Sequence, residues 1–304
     1  MRVVQCGKGN QRSPGLSEPL LAWLESQLSS RIVVGAVRSL HDGESPWWID
    51  LMAPDGSTFS AVLRFPSSRI SPDQIATNAA ALTVAEKHGL SAPRLLAADL
   101  DGRVAETSAS LETVVPGTST WPAAPSTELL LAAGAAIAQV HTVILDPQPQ
   151  LPLRPRPIAV DDFAHDRRVG RMPTTALLQL ADEQIQAIKA PDLPGVFVHG
   201  DVWPGNTVVA DGRVRALIDW KTAGVGNPGV DLGELRKQVA IFYDDAAPRH
   251  VLQGWERASG TRADNLPYWD AVAALNTPTE SYGPHAARRR DDFLRAAIAQ
   301  LRQH

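Results

Sequence analysis

The stretch HGDVWPGN at residues 199–206, together with LIDW at residues 217–220, decides the fold of this chain. It carries a carboxylate, Asp201, in a His-x-Asp turn, and an amide, Asn206, follows five residues later. A second carboxylate, Asp219, comes thirteen residues after the amide. These three side chains can act together only if the chain between them turns back on itself.

The residues between the amide and the second carboxylate predict a β-hairpin. An apolar, β-branched run leads into an Asp-Gly pair at residues 211–212, and an alternating run returns from it. Asp-Gly is a strong signal for a two-residue hairpin turn. If this pair forms the turn, Thr207 pairs with Ala216 and Asn206 lies opposite Leu217. The second carboxylate then leaves the hairpin at the end where the amide lies.

The three side chains have the chemistry that phosphoryl transfer requires. Asp201 could orient an attacking hydroxyl and take its proton, while Asn206 and Asp219 could hold the Mg²⁺ that bridges nucleotide phosphates. Diagonal neighbours in a β-ladder lie roughly 7–8 Å apart, which lets two side chains converge on one cation. Acidic residues near hairpin ends are common, so the spacing alone leaves an ordinary structural role equally open.

Further motifs occur along the chain in a fixed order. They are GLSAPRLL at residues 89–96, VVPG at residues 114–117, GAAIAQVH at residues 134–141 and NPGVDLG at residues 227–233. With the stretch described above, this series resembles the aminoglycoside phosphotransferase (APH) and choline-kinase-like family. Members of that family are similar to protein kinases in fold. The resemblance extends over about residues 30–240.

The resemblance implies the α+β class and a bilobal, protein-kinase-like fold, with a small β-rich N-terminal lobe and a mainly helical C-terminal lobe. Residues 1–116 would form the nucleotide-binding lobe, with residues 1–15 as a flexible tail. Residues 117–304 would form the catalytic and acceptor-binding lobe. The chain is long enough for two lobes, because single hydrophobic cores stop growing near ~250–300 residues.

The same resemblance implies a role for each residue of the catalytic motif. Asp201 would be the catalytic base, and His199 would support the loop by hydrogen bonding. Asn206 and Asp219 would ligate Mg²⁺, which prefers oxygen ligands. Asp231 would be a buried structural acid that accepts hydrogen bonds from the backbone of the catalytic loop.

Two positions depart from the family pattern. Where relatives place a phosphate-gripping Lys on the third strand, this chain has Arg64. A guanidinium can hold phosphate by a bidentate fork, so we expect a phosphate contact there, although its geometry differs from that of an ammonium. Where relatives place the Glu that pairs with the Lys, this chain has Asn78. Either the alignment shifts here or a hydrogen bond replaces the ion pair.

The other candidates for nucleotide contact come from the alignment alone. Thr113, Val114 and Val115 would offer backbone hydrogen bonds to the base. Gly43 and Ser45 lie in the loop after the first strand, which would cover the phosphates in a kinase-like arrangement. With one glycine and two acids this loop is a weak phosphate cradle. An ordinary hairpin turn is an equally open interpretation.

The acceptor pocket would come from the C-terminal lobe, with Trp203, Asp244, Asp245 and Trp269 as candidate contacts. Residues 231–304 balance at ten acidic and ten basic side chains. A polycationic aminoglycoside would be expected to draw a more acidic cleft. Aromatic rings suit an amine or a bulky apolar ligand, although core packing is the commoner role of such residues.

The sequence therefore predicts a Mg²⁺-dependent kinase that transfers the γ-phosphate of ATP or GTP to a hydroxyl of a small molecule. The acceptor could be an antibiotic of the aminoglycoside, macrolide or peptide type, or a metabolite such as an amino alcohol or sugar. The alternative from another functional class is a nucleotide-binding regulatory protein with little turnover. It is considered because Arg64 and Asn78 depart from the family pattern. A protein kinase is disfavoured, because the sequence has no D-F-G or A-P-E segment.

Composition argues against several other classes. A formal net charge of −4 with 20% charged residues gives no polybasic character that would point to nucleic acid or a membrane surface. Cys6 is the only cysteine and cannot form an internal disulfide, which fits a reducing cytoplasm. Residues 1–15 lack the apolar core of a secretory signal. The apolar run at residues 129–140 is too short to span a bilayer and predicts a core helix.

Local patterns predict the elements around these motifs. Helices are expected at residues 20–28, 71–88 and 174–190, strands at residues 32–40, 47–52 and 58–65, and an extended proline-rich connector at residues 145–160. Ser71 followed by Pro72 is a typical helix start. After Glu234 the chain is expected to be mostly helical.

Overall fold

The computed structural model describes residues 16–27, 33–191, 195–280 and 283–302. Cys6 and the expected flexible tail lie outside these residues. The chain divides into two compact units. The first takes in the described residues up to Ile75 together with Leu95–Val114. The second takes in Ala76–Arg94 and the described residues from Val115 onward.

The first unit is built from one helix and five strands. They are α1 Glu18–Gln27, β1 Val33–His41, β2 Glu44–Met52, β3 Thr58–Arg64, β4 Leu95–Asp99 and β5 Ala109–Thr113. The strands form an antiparallel sheet in the order β1-β2-β3-β5-β4. Alternate residues of β2, Trp47, Ile49 and Leu51, are buried in one core with Leu20 and Trp23 of α1. The alternating side-chain pattern of the strand thus becomes one buried face.

The first hairpin is tighter than the sequence predicted. His41 of β1 pairs directly with Glu44 of β2, so only Asp42 and Gly43 form the turn. Both have positive φ, 48° and 91°. An Asp-Gly pair suits this turn because both residue types tolerate positive φ. The loop expected between the two strands is therefore a two-residue turn, and β2 begins at Glu44, three residues earlier than predicted.

The second unit is mainly helical. Its helices are α2 Pro72–Lys87 (from Ala76 onward), α3 Thr127–Val140, α4 Phe163–Arg168, α5 Ala176–Ala187, α6 Gly229–Phe242, α7 Ala247–Ser259, α8 Leu266–Leu275 and α9 Pro284–Leu301. Its strands are β6 Leu153–Arg154, β7 Val196–Val198, β8 Thr207–Ala210, β9 Arg213–Leu217 and β10 Gly224–Gly226. Strand β10 pairs in parallel with β6 and antiparallel with β7, while β8 and β9 form the hairpin between Asn206 and Asp219, called the catalytic hairpin after its predicted role.

Helix α2 begins as the sequence predicted. The hydroxyl of Ser71 accepts a hydrogen bond from the backbone of Gln74 at 3.3 Å, and the Gln74 side chain accepts one from the backbone of Ser71 at 2.9 Å. These reciprocal bonds form a capping box, which satisfies two otherwise unpaired N–H groups. From Ala76 onward the helix belongs to the second unit, whereas residues 1–116 were expected to form one lobe.

Two glycines let helices α3 and α7 approach each other with their backbones in contact. A Cβ on Gly134 would lie 2.0 Å from the carbonyl oxygen of Val251, and a Cβ on Gly254 would lie 2.0 Å from that of Leu131. Neither position has space for a side chain. The close approach brings His141, at the end of α3, within hydrogen-bonding distance of α7.

The last helices of the chain enclose a hydrophobic core. Tyr268 and Trp269 of α8 meet edge to face at 5.1 Å between ring centroids. They pack in one cluster with Leu178 of α5 and Leu294 of α9. Within the described ranges, no helix combines the length and the apolar character that a membrane crossing would require.

Candidate active site

The catalytic hairpin forms at the predicted turn but in a different register. Asp211 and Gly212 have positive φ values of 53° and 69°, and the two strands pair directly across them. A β-bulge then shifts the pairing, so that Thr207 lies opposite Leu217 rather than Ala216. The predicted register was wrong by one residue. The turn fixes only the pairs beside it, and a bulge adds an extra residue to one strand.

The shifted register brings the two candidate metal ligands one residue closer along the ladder. The N–H of Ile218 donates to the carbonyl oxygen of Asn206 at 2.9 Å, so Asp219 directly follows the residue bonded to Asn206. The N–H of Trp220 donates to the side-chain oxygen of Asn78 at 3.1 Å. Asp219 itself has a left-handed backbone, with φ of 65°. Hydrogen bonds on both sides therefore hold its backbone in place.

Asn206 joins the catalytic loop to the hairpin. Its side-chain nitrogen donates to the carbonyl oxygen of Asp201 at 2.9 Å and to carboxylate Oδ2 of Asp201 at 3.2 Å. Asn206 ends the 3₁₀ turn Pro204–Asn206 and is 6% exposed. Because both side-chain bonds come from the nitrogen, the amide oxygen is the atom available as a ligand.

The oxygen atoms of Asn206 and Asp219 are of the kind that Mg²⁺ binds. Amide and carboxylate oxygens match the preference of this ion for hard ligands. The Asp219 carboxylate also forms an ion pair with the ammonium of Lys221. In the described part of the chain, no group of three or more His, Cys, Asp or Glu could hold a metal by itself. The donor set therefore fits a Mg²⁺ ion that takes its other ligands from water and from substrate phosphates.

Asp201 lies in an environment that favours its protonated form. Burial raises the pKa of its carboxyl to about 7. The positive charges of Lys221 and Lys237 oppose this shift of the pKa, and the negative charges of Glu234 and Asp219 add to it. A carboxylate whose pKa lies near neutrality is suited to accept a proton during a reaction.

Asp231, on α6, holds the start of the catalytic loop. Its carboxylate oxygens accept the backbone N–H of His199 at 2.8 Å and that of Gly200 at 2.7 Å. The ring of His141 bonds to the same carboxylate at 3.0 Å. Burial by itself would raise the pKa of Asp231, but the hydrogen bonds from the His141 ring and from the backbone of His199 lower it overall. The loop is therefore anchored to a buried carboxylate that stays ionised.

The tautomer of His141 is set by its second partner. The indole N–H of Trp255, on α7, donates to Nδ1 of His141 at 2.9 Å. Since an indole nitrogen can only donate, Nδ1 accepts and the ring proton lies on Nε2, which faces Asp231. His141 is 8% exposed and links α7 to the loop at residues 199–206 through Asp231.

His199 uses both ring nitrogens to shape the catalytic loop. Nδ1 accepts the backbone N–H of Asp201 at 3.3 Å, and Nε2 lies 2.9 Å from the carbonyl oxygen of Ile218. Nε2 is therefore the donor nitrogen. Burial lowers the pKa of the ring, which favours the neutral form that this pattern needs. Gly200 follows with φ of 82°, and a Cβ there would lie 2.2 Å from the carbonyl oxygen of Thr222.

Trp203 packs back onto the loop that carries it. A Cβ on Gly205 would lie 2.2 Å from Cη2 of the Trp203 ring, so the indole covers this glycine. The hydroxyl of Thr207 donates to the carbonyl oxygen of Trp203 at 3.0 Å. The residue is half-buried. These contacts favour loop packing as the main role of the ring and leave part of its surface accessible.

In the first unit, Arg64 forms an ion pair that the sequence did not predict. Its Nη2 lies 2.9 Å and its Nε 3.3 Å from Oε1 of Glu112, on the neighbouring strand β5. Both side chains are 4% exposed. Glu112 is thus the buried acid that pairs with Arg64, while Asn78 on α2 bonds to the backbone of Trp220.

The turn that was expected to cover the phosphates is held by internal hydrogen bonds. The N–H of Gly43 donates to the hydroxyl of Ser39 at 2.9 Å, and the hydroxyl of Ser45 accepts the N–H of Phe65 at 3.2 Å. Ser45 lies within β2 and is 2% exposed. This placement favours the hairpin-turn interpretation over a phosphate cradle.

The segment expected to contact the nucleotide base follows directly from the sheet. Thr113 is the last residue of β5 and pairs with Ala61 of β3. Val114 is the last residue of the first unit, and Val115 opens the longer segment of the second. Backbone contacts of these residues with a base stay a prediction.

The four acceptor candidates differ in their surroundings. The carboxylate of Asp244 accepts the backbone N–H groups of Ala246 and Ala247 at 2.8 Å each, next to the start of α7. Asp245 is fully exposed, with an oxygen 3.6 Å from Arg289. Trp269 is 2% exposed within the core around α8. Its burial favours the packing interpretation, whereas Asp244, Asp245 and part of Trp203 present exposed surface.

Sequence reasoning missed Glu112 and Lys221 as members of the candidate site. The only signal for Glu112 is an acid at the end of a short strand whose other residues are mostly small or apolar. The signal for Lys221 is a lysine directly after the IDW stretch, in a chain whose basic residues are nearly all arginine. Neither signal predicts that Glu112 pairs with Arg64 or that Lys221 pairs with Asp219.

A family model extends over the whole site. The model of the phosphotransferase enzyme family, APH, matches residues 37–275. This match covers well over half of the 304 residues and includes both catalytic stretches. The chain belongs to the APH phosphotransferase family. No curated protein sequence matches the chain well enough to count as a relative.

Solved structures of APH-type enzymes share this fold at low sequence identity. Macrolide 2'-phosphotransferase MphH from Brachybacterium faecium is 21% identical with a TM-score of 0.60, over 93% of this chain and 98% of that one. The amicoumacin kinase hAmiN, solved with AMP-PNP, Ca²⁺ and Ami, is 13% identical with a TM-score of 0.58, over 87% and 88%. A thermostable mutant of APH(4)-Ia with ADP and hygromycin B is 15% identical with a TM-score of 0.59, over 92% and 98%. The predicted α+β, kinase-like fold is confirmed.

Proposed function

We propose that this member of the APH family is a kinase that transfers the γ-phosphate of ATP or GTP to a hydroxyl of a small molecule. One observation carries the proposal: a single short segment brings Asp201, Asn206 and Asp219 together, through the side-chain bond of Asn206 to Asp201 and the backbone bond that precedes Asp219. These are the groups that phosphoryl transfer requires.

Each of the three residues has a distinct role in the proposed reaction. Asp201 accepts the proton of the acceptor hydroxyl, and Asn206 positions its carboxylate through the bond at 3.2 Å. The amide oxygen of Asn206 and the carboxylate of Asp219 would hold Mg²⁺, which when bound would neutralise charge on the phosphates. The acceptor oxygen forms a bond to the γ-phosphorus as the bond to the β-phosphate oxygen breaks, and the nucleoside diphosphate leaves.

In the first unit, we propose that Arg64 contacts the nucleotide phosphates. Its pairing with Glu112 through two nitrogens fixes the plane of the guanidinium, and a guanidinium is a planar fork whose geometry matches phosphate oxygens. A buried acid that orients a phosphate-binding cation is the arrangement that protein kinases build from Lys and Glu. Thr113, Val114 and Val115 remain the proposed contacts to the base.

For the acceptor, we propose an antibiotic of the aminoglycoside, macrolide or peptide type, whose phosphorylation would confer resistance. The solved relatives include enzymes named for a macrolide and for amicoumacin and one solved with hygromycin B. Among the C-terminal acids, Glu234 and Asp270 are buried in ion pairs with Lys237 and Arg236. Paired acids cannot attract a polycation, which favours an acceptor with few positive charges. A metabolite such as an amino alcohol or sugar is the alternative.

The test is mass-spectrometric detection of phosphate gain over a mixed acceptor panel with Mg-ATP and Mg-GTP. Aminoglycosides, macrolides, peptide antibiotics, amino alcohols and sugars would each be offered to the wild type, to Asp201→Ala and to Asp101→Ala. Asp101 is a matched control, because its side chain is 68% exposed and pairs only at the surface.

A product made by the wild type and by Asp101→Ala, but reduced at least ~100-fold in Asp201→Ala, would support the kinase and identify its acceptor class. Equal product from Asp201→Ala would contradict the role of Asp201. No product from any acceptor, with Mg-nucleotide nevertheless bound, would favour the regulatory protein with little turnover.

A further inference from the structure

Lys221 places a positive charge at the candidate metal ligand. Its ammonium pairs with Oδ2 of Asp219, and the two side chains are only 23% and 18% exposed. An ion pair that is largely withdrawn from water is stronger than the same pair at the surface, since the local dielectric response is weaker. The ion pair between Lys221 and Asp219 is therefore stronger than an ordinary surface ion pair.

The backbone on either side of Lys221 is fixed. The N–H of Trp220 bonds to the side chain of Asn78 at 3.1 Å. Thr222 is 1% exposed, and its carbonyl oxygen packs against Gly200 of the catalytic loop. The ammonium can therefore leave Asp219 only by rotation of its own side chain.

A carboxylate that is paired with an ammonium is a poorer ligand for a divalent cation. Mg²⁺ at Asp219 would either displace the ammonium of Lys221 or share the carboxylate with it, and the two cations repel each other. Nucleotide phosphates would relieve the repulsion between Mg²⁺ and the ammonium of Lys221. They would offer the displaced ammonium new anionic partners and add ligands for the metal.

We propose that Lys221 is an internal counter-ion of Asp219 that competes with free divalent cations, so that the site takes up Mg²⁺ together with a nucleotide rather than before it. This inference rests on the proposed function, because it needs Asp219 as a metal ligand. Lys221 acts here as a positioning residue: it occupies the carboxylate until phosphate is present, and then pairs with phosphate instead.

The experiment measures binding of Mn²⁺, as a paramagnetic probe for Mg²⁺, by electron paramagnetic resonance. The proteins are the wild type, Lys221→Met and Lys221→Gln, which remove the charge, and Lys221→Arg, which keeps it. Lys87→Met is the matched control, because Lys87 is exposed at the end of α2. Circular dichroism at the start of each titration verifies that the variants are folded.

Without nucleotide, the two neutral variants should bind Mn²⁺ at least about tenfold more tightly than the wild type. Lys221→Arg and Lys87→Met should bind it as the wild type does. With AMP-PNP present, the advantage of the neutral variants should disappear, and their affinity for AMP-PNP should fall below that of the wild type.

Equal Mn²⁺ affinity of the wild type and both neutral variants without nucleotide would overturn the inference. It would leave the proposed kinase intact, since product formation in the acceptor assay is measured separately. Absence of Mn²⁺ binding in every protein, even with AMP-PNP, would overturn both the metal role of Asp219 and the inference about Lys221.

Discussion

At the residue scale, the carboxyl groups of Asp201 and Asp231 have pKa values shifted in opposite directions. Asp231 accepts two backbone N–H groups and a histidine ring, so its pKa lies below the ordinary value. Asp201 accepts a side-chain bond from Asn206, and burial raises its pKa to about 7. The two carboxyl groups differ in the hydrogen bonds they accept. Asp231 is stabilised as an ion, whereas Asp201 is able to exchange a proton near neutral pH.

The raised pKa of Asp201 predicts a cost in stability. Its value in the folded protein, about 7, lies above the ordinary 3.8. The folded state therefore binds the proton more tightly, and the protein loses stability as the pH rises from about 4 to about 7. Asp201→Asn cannot ionise and keeps an oxygen that can accept the bond from Asn206. In EDTA, the variant should melt at a higher temperature than the wild type at pH 8, with a smaller difference at pH 5.

Thermal unfolding followed by circular dichroism between pH 5 and pH 8 would measure this effect. Asp101→Asn, at an exposed position, should show no pH-dependent gain over the wild type. A difference between Asp201→Asn and the wild type that stays constant over this range would show that Asp201 has an ordinary pKa.

At the element scale, the pairing of strands β3 and β5 supplies a buried ion pair. Arg64 and Glu112 lie on adjacent strands and bond at 2.9 Å with both side chains 4% exposed. Breaking such a pair leaves an uncompensated buried charge, whereas removing both partners is far less harmful. The stability of the sheet therefore depends on keeping the two residues matched.

Glu112→Gln should lower the free energy of unfolding by about 3–5 kcal/mol. The double variant Arg64→Met with Glu112→Leu should recover most of this loss, because both charges of this ion pair are then removed together. Urea unfolding of the two single variants and the double variant gives the coupling energy. The matched surface pair of Arg103 and Asp101, with side chains 81% and 68% exposed, should show little coupling. Additive effects of the Arg64 and Glu112 changes would contradict a buried pair.

At the scale of the whole molecule, ligand binding should appear in thermal stability. A ligand that binds only the folded state at 100 times its Kd stabilises that state by about 2.7 kcal/mol. Saturating Mg-ATP or Mg-GTP should therefore raise the melting temperature of the wild type by several degrees. The gain should be smaller in EDTA, where the metal part of binding is lost.

Asn206→Ala should lose the part of this thermal shift that depends on Mg²⁺, since it removes one of the two proposed metal ligands. Differential scanning fluorimetry with and without EDTA, on the wild type, Asn206→Ala and Asp101→Ala, would separate the metal contribution from that of the nucleotide alone. A full Mg²⁺-dependent shift in Asn206→Ala would exclude this residue as a ligand.

Much of the fold could be predicted from local sequence signals. The capping box at residues 71–74 and the turn at residues 211–212 formed where they were expected, because their hydrogen bonds and φ values involve only neighbouring residues. The order of motifs also indicated the APH family, which the match to residues 37–275 shows. The register of the hairpin was wrong because a bulge depends on what the second strand packs against.

The sequence by itself determined the family and the α+β class, and it predicted the candidate catalytic residues, since these depend on residue types at short spacings. Only the tertiary structure decided which groups two of the buried charges meet: Glu112 for Arg64, and His141 with its partner on α7 for Asp231. Partners such as His141 and Asp231 are ninety residues apart in the chain. A buried charge pairs with the group that packing places beside it, and short-range sequence patterns carry no record of that packing.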